Sequence, residues 1–281
     1  MNTADKTMFL FLFSFFIFAF GACIGSFLNV CIWRIPRGKS LFYPPSSCPN
    51  CSHKIKFYEN IPIFSWIFLK GKCSSCGKKI SIRYPLVEFL CAFFYLMIWI
   101  KVFFLSEHLL RLLPLFAITA LAISTFFIDM EHYIIPDLTT YPVIFIGLGL
   151  SIIFPESYGF KNVSNSFIFS FSGFIIALIF MAAFSIIGKK LFRKDALGWG
   201  DVKYLAAVGA CLGFPGAFFC VLFASLIASL FGIFLIFWRK KQITSVIPFG
   251  PFLSIGTILW IFLDKKLIMW YLNFSNYLRN F

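Results

Sequence analysis

LLRLLPLFAITALAISTFFIDMEHYIIPD, residues 109–137, decides the architecture. From Leu109 to Ile128 it carries a single charge, Arg111; then Asp129, Glu131 and His132 arrive together, ahead of Pro136 and Asp137. A helix of about 20 residues crosses the roughly 30 Å hydrocarbon layer of a bilayer. Backbone groups in lipid must be satisfied within the segment, so the run reads as a membrane-spanning α-helix with Asp129 at its exit.

The rest of the chain repeats the pattern. Sixty per cent of its 281 residues are apolar and 21% aromatic, with a mean hydropathy of +0.89, more than one soluble core of this length can enclose. Apolar spans fall at 8–32, 86–105, 109–128, 138–154, 164–187, 202–214, 216–238 and 246–263. The expected fold is therefore an all-α polytopic membrane protein of about eight transmembrane helices. Gly213, Pro215 and Gly216 separate the sixth span from the seventh, as a tight hairpin or as one broken helix. Lys6 ahead of an apolar run resembles a signal peptide, but apolar character continues to Trp33, so the first span reads as a retained helix. Gly25, Ser26 and Asn29 suit that helix to a close neighbour. Three regions follow: a first transmembrane helix (1–33), a hydrophilic insertion (34–85) and a membrane-embedded core (86–281).

Lys and Arg set the orientation, because cytoplasmic loops are enriched in them. Segment 33–85 holds Arg34, Arg37, Lys39, Lys54, Lys56, Lys70, Lys72, Lys78, Lys79 and Arg83. Lys189, Lys190, Arg193, Lys194 and Lys203 cluster in 188–203, and Arg239, Lys240 and Lys241 follow the seventh span. All lie on one side if the N-terminus is outside; Lys265 and Lys266 fit that scheme poorly. The net charge of +14 belongs to membrane topology and anionic headgroups, with no nucleic acid as partner.

The insertion contains Cys48-Pro49-Asn50-Cys51 and Cys73-Ser74-Ser75-Cys76, separated by 21 residues. Two CxxC turns bring four thiolates to one ion, the layout of a zinc ribbon. Two disulfides are the alternative, which a reducing cytosol disfavours. Four Cys ligands make the metal structural, with no open position for water. His53 reads as a solvated side chain, and Cys23, Cys31, Cys91, Cys211 and Cys220 as small buried hydrophobes.

With this topology Asp129 closes one inward helix and Asp201, in Gly198-Trp199-Gly200-Asp201, opens an outward one. Both carboxyls stand at the cytoplasmic edge of the membrane. Two such groups sharing a site hold one proton between them, the arrangement used to activate water against a peptide carbonyl. Gly198 and Gly200 permit close backbone approach, and Asp137 and Lys203 are supporting candidates. Each acid also has a plainer reading: Asp201 as a helix N-cap, Asp129 as a solvated helix exit. Glu59 and Glu88 are placed to attract a basic peptide or to pair with Arg83.

GSFLNVCIWRIPRG (25–38), the cysteine-rich stretch 48–88, IDMEHYIIPD (128–137), LGWGDVKYLAAVGACLG (197–213) and IPFGPFLSIG (247–256) resemble, in order, the bacterial type IV prepilin peptidase family. This family belongs to the GxGD class of membrane aspartic proteases. The resemblance implies that Asp129 and Asp201 are the catalytic pair and that Cys48, Cys51, Cys73 and Cys76 bind Zn²⁺. It implies an inner-membrane endopeptidase that removes the basic leader of prepilins and pseudopilins after a glycine, at the cytoplasmic face. In many members methylation of the new N-terminus with S-adenosylmethionine follows, in type IV pilus assembly or type II secretion. The short interval from Pro36 to Cys48 departs from members with a longer insertion and bears on the methyltransferase part. A peptidase without methylation, or a non-enzymatic scaffold docking through its zinc ribbon, are the alternatives.

Overall fold

A computed structural model describes residues 3–192, 198–239 and 247–279, with side chains described over 8–190, most of 198–237 and 247–264. Arg193, Lys194, Lys240 and Lys241 lie outside the described residues, as do the side chains of Lys265 and Lys266. The described residues form α1 (Thr3–Arg34), a short α2 (Phe64–Phe68) in the insertion, α3 (Arg83–Phe104), α4 (Leu112–His132), α5 (Asp137–Ile153), α6 (Val163–Phe192), α7 (Trp199–Arg239) and α8 (Gly250–Arg279). The only β-pairing among them is two isolated bridges, Ser47 with Lys54 and Lys72 with Lys79.

Five of these helices are long and apolar enough to cross a membrane, α7 among them, and Asp137–Ile153 and Gly250–Asp264 are shorter apolar helices. Gly213 breaks α7, with φ 70° and ψ 179°. A Cβ at that position would also lie 2.2 Å from the ring of Phe169. The arms on either side, 199–212 and 214–239, fold back on each other. Tyr204 Oη lies 2.9 Å from Thr257 Oγ1, and Cys220 Sγ lies 3.3 Å from the same oxygen. Sixteen residues of straight helix at about 1.5 Å each would hold these two side chains roughly 24 Å apart. The hairpin, rather than a single bent rod, is therefore what Gly213 and Pro215 encode. Eight apolar helical segments result, as the sequence predicts.

The first arm of α7 is the axis of the bundle. Tyr204, Ala206, Ala207, Val208 and Ala210 are fully buried, and α4, α5, α6 and α8 pack around them. Small side chains let neighbouring backbones approach, which drives helix association where lipid removes the hydrophobic contrast. α1 packs along α3 and touches α4, forming a second buried cluster around Ile32, Val87, Cys91 and Ile128. Large apolar residues such as Phe11, Phe15, Phe145 and Ile168 line the exterior, where acyl chains would meet them. Of the apolar-span cysteines, Cys31, Cys91, Cys211 and Cys220 are buried, whereas Cys23 is exposed on that exterior. α8 continues to Arg279, well past the predicted end at 263.

Candidate active site

α4 carries Asp129 in its last turn and stops at Tyr133, which turns left-handed (φ 58°) and donates its amide to the Asp129 carbonyl at 3.0 Å. Pro136 then precedes α5, whose first residue is Asp137. On the far side of the sequence, Gly198 precedes α7 and Asp201 sits in its first turn. The Asp201 amide donates to the Gly198 carbonyl at 3.1 Å. Asp201 is thus a first-turn acid rather than the N-cap, a position that Gly198 occupies.

Two glycines join these motifs. A Cβ on Gly200 would lie 2.8 Å from Ile135 Cβ and 3.2 Å from its carbonyl oxygen, so the GWGD turn rests directly on the turn that follows Asp129. The start of α8 supplies the other contact: Gly250 N donates to Asp129 Oδ2 at 2.8 Å. The amides at a helix N-terminus have no intrahelical acceptor and favour an anion there. Asp129 is 6% and Asp201 9% exposed, so neither is a solvated surface acid. Gly250 had no distinct signal in sequence beyond its place in IPFGP.

The other candidates stand apart. Asp137 is exposed and pairs with Lys203 at 2.6 Å, stapling the start of α5 to that of α7 at the rim of the site. Both Glu131 oxygens accept from Arg83 Nη1 at 2.7 Å, so the alternative that paired Arg83 with Glu59 or Glu88 is not what forms. Glu88 instead accepts the Ile63 amide at 2.7 Å, and Glu59 accepts the Lys56 amide at 2.9 Å.

The four thiols of Cys48, Cys51, Cys73 and Cys76 converge, every Sγ within 4.8 Å of the others. Cys48 to Cys76 and Cys51 to Cys73 are both 3.9 Å, unbonded and close to the tetrahedron edge of about 3.8 Å that Zn–S bonds of about 2.3 Å require. The two turns match. Ser52 N donates to Cys48 O at 2.9 Å and Gly77 N to Cys73 O at 3.0 Å, both residues with positive φ. Backbone amides of Asn50 and Cys51 lower the Cys48 thiol to about 6, and those of Cys76 and Ser75 lower Cys73. This donor set fits a tetrahedral thiophilic ion. His53 is outside it, 3.4 Å from Glu59 and not simply solvated.

With this geometry in place, two family models match the chain. Residues 19–102 match the bacterial peptidase A24 N-terminal domain, and 115–233 match the type IV leader peptidase family. The prepilin leader peptidase/N-methyltransferase of Aeromonas salmonicida is 33% identical, over 92% of this chain and 93% of its own. This chain belongs to the type IV leader peptidase family. The Myxococcus xanthus protein of the same name is also 33% identical, over 92% of this chain and 75% of that one. An Escherichia coli type 4 prepilin-like proteins leader peptide-processing enzyme is 34% identical over 87% and 91%. No solved structure matches the chain. Both family models fall on the structure described above: the first takes in the second half of α1, the thiol cluster and nearly all of α3, and the second takes in both aspartates.

Proposed function

We propose that this enzyme is a membrane aspartic endopeptidase that cuts the basic leader from prepilins and pseudopilins, with Asp129 and Asp201 as its catalytic pair. The observation that carries the reading is the meeting of two buried carboxyls at one end of the bundle, where Gly250 holds Asp129 and the turn before Asp201 rests on Ile135. Such a pair retains one proton between its members. The ionised carboxyl takes a proton from water as the water oxygen attacks the scissile carbonyl, and the protonated carboxyl hydrogen-bonds to the carbonyl oxygen. Return of a proton to the departing amine completes the cleavage. Arg34, Arg83, Lys189, Lys190 and Lys203 gather at the same end as the aspartates, which supports a cytoplasmic site in the inner membrane. A substrate anchored by its own apolar helix then meets the pair at the interface, where water is at hand.

In this reading residues 34–85 form a zinc-binding domain between the first transmembrane helix and the peptidase core. Cys48, Cys51, Cys73 and Cys76 would hold Zn²⁺, which fixes the fold of the loop and activates no water. The relatives' names support methylation of the new N-terminal amine, with S-adenosylmethionine as donor.

The test is leader cleavage of a co-expressed prepilin by Asp129→Asn and Asp201→Asn variants, with membrane levels checked. Asn keeps the size of the side chain and cannot share the proton. Both variants should leave the prepilin uncut at normal abundance; wild-type cutting by either would remove that residue from the pair. Mass spectrometry of the processed N-terminus reads methylation separately.

A further inference from the structure

The loop between α1 and α3 does not simply stand above the bundle. Glu88 lies five residues inside α3, about 7.5 Å below its start at Arg83 at 1.5 Å per residue. Its carboxylate accepts the backbone amide of Ile63, from the middle of the loop, at 2.7 Å. Across from it is α1: the Glu88 Cα lies 2.6 Å from where a Cβ on Gly25 would stand, nine residues or about 13.5 Å before α1 ends at Arg34. The loop therefore folds back down the outside of both helices. Trp33, with Arg37 and Lys39 stacked on its ring, marks the interface level on α1, as an aromatic at the headgroup layer does. Ile63 sits below that level.

What surrounds Ile63 is apolar and uncovered. Phe64, Ile67 and Phe68 lie on one exposed side of α2, and Phe57, Tyr58 and Ile61, also exposed, lead into it. Phe57 is 91% and Phe68 80% exposed, values that a soluble domain avoids for neighbouring large side chains. Trp66 is the contrast: it turns inward, against Gly71, and donates its indole N–H to Ile80 O at 3.2 Å. Exposed Lys54, Lys56, Lys70 and Lys72 border the stripe. An apolar stripe with a basic margin at interfacial depth matches segments that lie in the plane of a membrane, apolar side about 5–10 Å into the headgroup and acyl boundary.

We infer that residues 57–68 form an interfacial wedge that inserts into the anionic leaflet beside α1 and α3, anchored by Glu88. The partner is the lipid surface itself. The zinc-binding turns are thereby held at a fixed height over the bundle, with the lysines on headgroup phosphates. The inference rests on the placement of the loop and not on the proposed peptidase chemistry.

The test uses the full chain, loaded with zinc, in nanodiscs of phosphatidylcholine with phosphatidylglycerol. p-Benzoylphenylalanine replaces Phe64 or Phe68, and Ser75 at the tip of a zinc-binding turn as a control. Photolysis should give lipid adducts at 64 and 68 in several-fold excess over 75, read by intact mass spectrometry. Yields at 64 and 68 no higher than at 75, or adducts confined to the protein, would overturn the inference. A Lys54→Gln, Lys56→Gln, Lys70→Gln, Lys72→Gln variant should lose adduct yield in the mixed discs and keep it in pure phosphatidylcholine. A variant whose yield matches that of the wild type in the mixed discs would remove the lysines from the interaction.

Discussion

Gly250→Ala separates the geometry of the aspartates from the stability of the fold. The new Cβ would stand 2.7 Å from Asp129 Oδ2, where ordinary contact begins at 3.4 Å, so the oxygen must move by about 0.7 Å. Asp129 Cγ and Cβ, at 3.0 and 3.1 Å, crowd the same methyl, so the whole side chain is displaced. That movement breaks or bends the 2.8 Å bond from the Gly250 amide. A hydrogen bond to a charged group contributes about 1.5–3 kcal/mol. At about 1.36 kcal/mol per decade of rate, its loss corresponds to a fall of about 10- to 150-fold. A catalytic group misplaced by roughly 1 Å loses a similar factor. The backbone has no reason to object, because Gly250 has no positive φ and Ala is the better helix former by about 0.5–1 kcal/mol. Prepilin cleavage in membranes, followed as the mobility shift of the substrate, should therefore slow about 10- to 100-fold while thermal stability is unchanged or slightly higher. Gly149→Ala, into open space on α5, should leave cleavage unchanged, with the same slight gain in stability. Wild-type cleavage by Gly250→Ala would refute the clamp on Asp129, and so would a rate loss matched by loss of folding.

Gly213→Ala should act in the opposite way, through the fold: φ 70° with ψ 179° is open essentially to glycine alone and costs another residue about 1–3 kcal/mol, and the methyl meets Phe169 as well. Membrane abundance and thermal unfolding should both fall. Lys203→Met and Asp137→Asn should each lower cleavage only a few-fold and show a coupling of at most about 1 kcal/mol in a double-mutant cycle, because the pair is largely solvated. Zinc titrated into the metal-free protein should displace more protons as pH falls through about 6, since the Cys48 thiol, held below its usual range, is a thiolate above that pH and a thiol below it. Calorimetry in buffers of different ionisation enthalpy measures that count, and a count independent of pH between 5 and 7 would contradict the amide-stabilised thiolate.

The sequence carried the positions of the spans because hydropathy is a local property. Arg83, Asp137 and Val163 start helices within three residues of the expected points. It also carried the two aspartates to one membrane edge, since helix direction alternates with each crossing. What it left open depends on contacts between distant segments. Hairpin and broken helix at Gly213 share one composition and differ only in whether Cys220 returns to Thr257. Gly250 reads as one more helix-start glycine until α8 lands on α4. The partner of Glu88 is a backbone amide, which no charge pattern announces, and Arg83 finds Glu131 across 48 positions instead.

The hairpin of α7 bears on how the chain enters the bilayer during synthesis. Its first arm, 199–212, is about 21 Å long at 1.5 Å per residue, short of the roughly 30 Å needed to span alone. It also carries Asp201 and Lys203 at its leading edge. Such a segment gains a stable position only when the second arm is available beside it, so the two would be delivered together as one unit. A chain cut short just after Gly213 would leave Asp201 without a lodging in the membrane.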